Sequence, residues 1–207
     1  ECPFTEESGV GPVRFSEYAR TKYEGNLIAW ELHQKKGLPL VMIFPGAVLG
    51  PGDTKATGQY IWDLLQGRLP ATVFQDSVLT FVHVKDVAES ILSAAERADN
   101  MGGKYLVGKY QLSVGEFNEM IREISGVPLP RVHLPNSLVM IVAWLLTRLA
   151  DVVKKPPLWG MSLDQMRTLK EGFRFDGSKA ERELGITYTP IRTAAEELVA
   201  SLQSGLF

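Results

Sequence analysis

The sequence predicts an α/β protein: an open, parallel sheet followed by a mainly helical C-terminal part. Three short apolar runs carry that expectation: "LPLVMIF" at 38–44, "VLTFVHV" at 78–84 and "KYLVG" at 104–108. Each has the length of a strand and is rich in aliphatic or aromatic residues, the pattern of strands buried on both faces. Segments with helical periodicity lie between them, and such alternation points to parallel pairing. The strands are too few to close a barrel.

The opening, "ECPFTEESGVGP", is polar and turn-like, without the basic, apolar and small-residue succession of a signal peptide. A helix is predicted from about Ser16, carrying Tyr18, Lys22, Leu27, Ile28 and Leu32 and ended by Gly37. The first strand follows, and "PGAVLGPGD" reads as a loop at its C-terminal end, where open α/β sheets bind ligands. A second helix is expected around 59–66, and an amphipathic one from Asp86 to about Arg97. Ser113 with Glu116 forms a capping-box pattern for a helix carrying Phe117, Met120, Ile121 and Ile124.

Beyond Pro135 the pattern is mainly helical. "LVMIVAWLLTRLA", 138–150, is the longest apolar stretch, interrupted by Thr147 and Arg148. It falls short of the roughly 18 residues of a membrane span, so a buried or lid helix is expected, with a membrane-surface helix as the alternative. "KKPP", 154–157, should break two helices. "DGSKAERELG", 176–185, has a cap-like start and a glycine stop, and a last helix should begin after Pro190.

The chain has 207 residues and a formal net charge of −2, and no basic stripe is interleaved with aromatics. Nothing therefore points to a nucleic-acid partner. Cys2 is the only cysteine, which rules out an internal disulfide, argues against a cysteine-based metal site and fits a reducing compartment such as the cytoplasm.

One stretch suggests chemistry. "FSEYARTKYEG", 15–25, sets Tyr18 and Lys22 four apart, on one face of the first helix. A phenol titrates near about 10 in water, and an adjacent ammonium together with a cationic nicotinamide ring favours its anion. Such a tyrosine can exchange a proton with an alcohol or carbonyl while hydride moves between carbon and cofactor. The same spacing is equally that of a solvated lysine beside a half-buried tyrosine.

The surroundings add to the pair. "TEESGVGPVRFSEYARTKYEGN", then "FPGAVLGPGD", then "FVHVKDVAESIL", and finally "FDGSKAERELGITYTPIRTAAEEL" together resemble the extended short-chain dehydrogenase/reductases in order and spacing. The wording is most similar to the branch of dihydroflavonol reductases and 3β-hydroxysteroid dehydrogenases. The resemblance implies the C-terminal part of a Rossmann-like, doubly wound parallel sheet. Residues 1–110 would end a dinucleotide-binding domain, with substrate-region segments interspersed, and 111–207 would form a mainly helical substrate-binding region. It implies NAD or NADP as cofactor, Tyr18 as catalytic acid/base, Lys22 as ribose ligand, and Pro45 with Val48 against the nicotinamide. It also implies a small-molecule substrate and pairing of two copies through the Tyr-x-x-x-Lys helix. Asp86 matches an acidic position that caps the next helix, and His83 is expected to be a packed, hydrogen-bonded histidine.

Two departures qualify the resemblance. No glycine-rich strand-turn-helix precedes Tyr18, and the family's upstream serine or threonine is not present either, so the sequence reads as the C-terminal portion of a longer enzyme. Where sugar-nucleotide epimerases and dehydratases carry arginine and asparagine, this chain has Phe44 and Ala47, and Leu79 stands where they place a diphosphate-binding arginine. A leucine cannot make the charge-assisted bond of an arginine to phosphate. The reading is thus a carbonyl/alcohol oxidoreductase on a fairly apolar substrate. A sugar-nucleotide epimerase or dehydratase and a non-catalytic cofactor-binding subunit are the alternatives.

Overall fold

The computed structural model describes residues 3–11, 16–155, 157 and 161–205. Cys2 and Pro156 of the expected 154–157 break lie outside them. The first helix, α1 (Glu17–Lys36), starts where Ser16 accepts a hydrogen bond from the Ala19 N–H and stops at left-handed Gly37. The Gly37 N–H donates to the His33 carbonyl and the Leu38 N–H to that of Leu32, a Schellman ending that satisfies two orphan carbonyls.

Among the described residues five strands follow, interspersed with helices: β1 (Met42–Pro45), β2 (Ala47–Leu49), β3 (Val78–His83), β4 (Lys104–Val107) and β5 (Tyr110–Ser113). They form two small sheets. β1 pairs with β4 in parallel, with Ile43 opposite Tyr105. β2 pairs with β3 in parallel, with Val48 opposite Val82, and β3 pairs with β5 antiparallel. The parallel expectation therefore holds for β1–β4 and β2–β3, and the antiparallel β3–β5 pair departs from it. The "PGAVLGPGD" segment is not wholly loop, because three of its residues are β2.

Gly46 makes the step from one sheet to the other. A side chain there would collide with the Thr80 carbonyl oxygen, so the chain crosses β3 at a distance only glycine allows. The first strand starts at Met42 rather than Leu38 and is less buried than its composition suggests. Met42 is buried, Ile43 and Phe44 are half-buried and Pro45 is exposed. Among the described residues only one edge of β1 is paired.

The helices cover these sheets. α2 (Ala56–Leu65), α4 (Val114–Ser125) and α8 (Ile191–Gln203) enclose the main core with Leu49 and Phe81, and the rings of Phe81 and Phe117 stack at 4.8 Å. α4 carries the expected capping box, with Ser113 and Glu116 each bonded to the other's backbone N–H. A second core lies under α3 (Val84–Glu96) and α7 (Ser178–Leu184), built on Val82, Tyr105, Val107 and Tyr188. The Tyr188 hydroxyl accepts from the Gly108 N–H and donates to the Gly177 carbonyl, and burial pushes its pKa up to about 12.

α5 (Asn136–Val153) and α6 (Leu163–Glu171) stand on a third cluster of Phe74, Val139, Ala143 and Met166. Here the expectation of a buried helix fails. α5 buries only Val139 and Ala143, while Leu138, Ile141, Trp144, Leu145, Leu149 and Val152 are exposed. Its apolar residues run right round the helix, and the packing supplied by α6 takes only one side of it.

Candidate active site

α1 is the element that positions the candidate acid/base. Local spacing puts Tyr18 and Lys22 on one face, and the Lys22 ammonium stands 5.6 Å from the centre of the Tyr18 ring. Both side chains are exposed, Tyr18 at 61 %. Nothing in the helix buries this face: none of its residues is fully buried, and Leu27 and Ile28 are also exposed.

The start of α1 is held from far along the chain. One carboxylate oxygen of Asp164 accepts from the Glu17 N–H at 2.6 Å, and the other accepts from the Tyr18 N–H at 3.3 Å. Asp164 itself sits in the first turn of α6, so its charge lies near two helix N-termini, where backbone N–H groups favour an anion. The Thr168 hydroxyl, also on α6, donates to the Ser16 hydroxyl. The backbone of Tyr18 is therefore fixed by a residue that sequence reasoning missed. No local signal could have shown it, because the contact joins positions far apart in the chain.

The other end of α1 rests on β4. The Lys104 ammonium lies over the Trp30 ring at 4.7 Å, and His33 Nδ1 is hydrogen-bonded to the Leu38 carbonyl at 2.6 Å. Exposed ion pairs along the helix, Glu17–Arg20–Glu24 and Glu31–Lys35, add little, because water screens them.

The remaining predicted residues cluster at the β1–β2 step. Phe44 and Pro45 end β1, and Ala47 and Val48 begin β2 on the other side of Gly46. Ala47 and Leu79 pack against the main core and Val48 against the second core. Beyond them opens a cleft of about 400 Å³ whose walls include Val48, Gly50, Pro51, Asp53, Lys55 and Val84, and not Tyr18 or Lys22. The carboxylate of Asp53 accepts from the N–H groups of Lys55 and Gly58 and so fixes the start of α2 beside this cleft.

Asp86 and His83 are structural, with one exchange of roles. The helix cap is His83, whose Nδ1 accepts from the Lys85 N–H. Its Nε2 then carries the proton and faces Glu197 at 3.2 Å, within a fully buried ring. The Glu197 carboxyl is held below its ordinary range, first by the hydrogen bond from Lys85 and then by that from His83. Asp86 does not cap α3. It lies inside the first turn, and its two oxygens accept from the backbone N–H and the hydroxyl of Thr189, tying α3 to the segment before α8.

The family model described as NAD dependent epimerase/dehydratase family matches residues 1–108. Sterol demethylase protein B of Methylococcus capsulatus is 30% identical over 89% of this chain and 56% of its own length. A putative dihydroflavonol 4-reductase of Synechocystis is 28% identical over 96% of this chain and 59% of its own. The chain thus spans somewhat over half the length of these curated relatives. Among solved structures, gox2253 superposes with a TM-score of 0.76 at 30% identity, over 99% of this chain and 61% of that one. UDP-glucuronic acid 4-epimerase from Bacillus cereus, solved with UDP-glucuronic acid and NAD, superposes at 0.72 with 19% identity, over 100% of this chain and 58% of that one. The latter likeness is one of fold, which is Rossmann-like.

Proposed function

The chain belongs to the NAD-dependent epimerase/dehydratase family, and within it we propose an oxidoreductase that interconverts a carbonyl and a secondary alcohol on a fairly apolar small molecule. The observation that carries this reading is the Tyr18–Lys22 pair on the open face of α1, with the Tyr18 backbone anchored by Asp164. In the proposed reaction Tyr18 gives its hydroxyl proton to a carbonyl oxygen, or receives one from an alcohol. Lys22 stabilises the negative charge that develops on the phenolic oxygen and holds ribose hydroxyls.

The residues present suit one end of a nicotinamide dinucleotide. Tyr18 and Lys22 offer a hydroxyl and an ammonium from one exposed face, and Pro45 with Val48 offers apolar surface for a flat ring. A glycine-rich strand-turn-helix for the pyrophosphate does not occur among the described residues. When bound, the nicotinamide supplies or takes the hydride. The proposed division of labour gives 1–110 to the cofactor end and 111–207 to the substrate region.

The apolar substrate class is supported by Phe44, Ala47 and Leu79, which offer a diphosphate no charged partner. It is also supported by the names of the relatives, a sterol demethylase protein, a dihydroflavonol reductase and the 3beta-hydroxysteroid-dehydrogenase/decarboxylase isoform 1 of Arabidopsis thaliana. The test is a screen of the full-length protein against ring ketones and secondary alcohols with NADH, NADPH and their oxidised forms. We expect turnover with one cofactor pair and at least one apolar ring substrate. Turnover of UDP- or GDP-sugars with no ketone reduction would overturn the reading in favour of an epimerase.

A further inference from the structure

We propose that α5 is a membrane-docking surface that lies flat on a bilayer carrying anionic headgroups. Leu138, Ile141, Leu145, Leu149 and Val152 recur at spacings of three and four, so they form one stripe along the helix. Every one of them is exposed, and Trp144 flanks the stripe at 47 % exposure. Leu27 and Ile28 on α1 and Ile91 and Leu92 on α3 are exposed as adjacent pairs, whereas α5 exposes a contiguous apolar stripe along its whole length, the kind of face that marks an interaction site.

The helix itself says what covers the face. α5 is the one helix among the described residues long and apolar enough to cross a membrane, with 18 residues and a mean hydropathy of 1.6. It does not cross, because its opposite side is committed to protein. Val139 and Ala143 are packed against Phe74 and Met166, and the Thr147 hydroxyl donates to the Ala143 carbonyl and accepts from the Leu163 N–H. A helix packed on one side can meet lipid only with the other, which is the interfacial arrangement.

Its charges match a headgroup layer. Arg148 lies over the Trp144 ring at 5.8 Å, beside the apolar stripe, and Lys154 and Lys155 follow directly at the C-terminal end. Asp151 is the only acidic residue of α5, so the helix and its exit are net basic. An aromatic ring with a cation over its face and lysines at the helix end are the groups that settle at a bilayer surface, and each lysine is drawn to anionic lipid. The surface stands on α5 alone and not on the reading of the substrate, so a failed ketone screen and a failed lipid test are separate results.

The experiment is sedimentation of the full-length protein with phosphatidylcholine vesicles, with and without phosphatidylglycerol. We expect pelleting that rises with phosphatidylglycerol and falls at least roughly tenfold in Leu145→Asp/Leu149→Asp. Lys154→Glu/Lys155→Glu should lose roughly tenfold on the anionic vesicles and little on the neutral ones. Brominated lipids should quench tryptophan fluorescence in the wild type and less in Trp144→Phe. Absence of pelleting with both vesicle types would overturn the proposal, as would equal pelleting of the leucine variant. A dimer in solution that the leucine variant converts to monomer, with no lipid dependence, would also overturn it and assign the stripe to a second copy.

Discussion

α1 and α8 are both full-length helices of one chain, and they are held in opposite ways. α8 buries Ile191, Ala194, Ala195, Leu198, Val199, Ser201 and Leu202 out of 13 residues, against strands and helices on several sides. α1 has 20 residues and buries none of them. It is held instead at its ends: by Ser16 and Asp164 at the start, by the Gly37 turn and Trp30 at the finish, and by exposed ion pairs between. The comparison teaches where this protein separates its packing from the proposed chemistry. Packing energy is concentrated in α8 and the strands under it, and the titratable pair sits on a helix whose face is left open.

Substitutions can break that contrast or sharpen it. The largest effect is expected from Tyr18→Phe in the full-length protein. Turnover should fall by about 10²–10⁴-fold, the usual share of general acid/base catalysis, with cofactor affinity and thermal midpoint nearly unchanged. Activity surviving within a few-fold would remove Tyr18 from the chemistry. Leu198→Ala is the mirror experiment. It leaves a cavity in the main core and should cost about 2–5 kcal/mol in denaturant unfolding. A cost near zero would mean that α8 is not the anchor described here.

Asp164→Ala tests the tie between α6 and the otherwise unburied start of α1. It removes the acceptor for two N–H groups at the start of α1 and should cost about 0.5–2 kcal/mol, the range of a lost cap. If the carboxylate also places Tyr18, turnover should fall further than stability explains, and Asp164→Asn should restore part of it. The smallest effect concerns acid. The Glu116 carboxyl is held below its ordinary range by hydrogen bonds from Ser113, the backbone one first. Its folded pKa is lower than its unfolded one, so its contribution is complete above about 4.3 and is lost as pH falls through the folded value. The stability difference between wild type and Glu116→Ala, measured by unfolding across pH 2–7, should therefore shrink toward the acid end. A constant difference would mean the charge of Glu116 contributes nothing.

The fold was legible wherever a few neighbouring residues decide the outcome. Ser16 and Gly37 bound α1, the Ser113–Glu116 box starts α4, and Gly185 ends α7, all as the local pattern implies. β2 and β5 were not legible, because three or four residues such as "AVL" or "YQLS" become strands only when a partner edge is present. His83 took the cap expected of Asp86 because α3 begins at Val84, and the freed carboxylate found Thr189, more than a hundred positions away. α5 misled for a related reason. Hydrophobicity marks a surface that needs covering, but it does not say whether protein provides the cover.

By itself, then, the sequence determined the order of β1, β3, β4 and the helices, the ends of α1, α4 and α7 set by Ser16, Gly37, Ser113 and Gly185, and the one-turn spacing of Tyr18 and Lys22, since each depends on bonds within a few residues. It also carried the family likeness, because that likeness is written in those same local motifs. Only the tertiary structure decided the splitting of the strands into two sheets, the anchoring of the Tyr18 backbone by Asp164, and the exposure of α5. Each of those depends on which distant groups meet, and a linear pattern of side chains leaves that choice open until the chain has closed on itself.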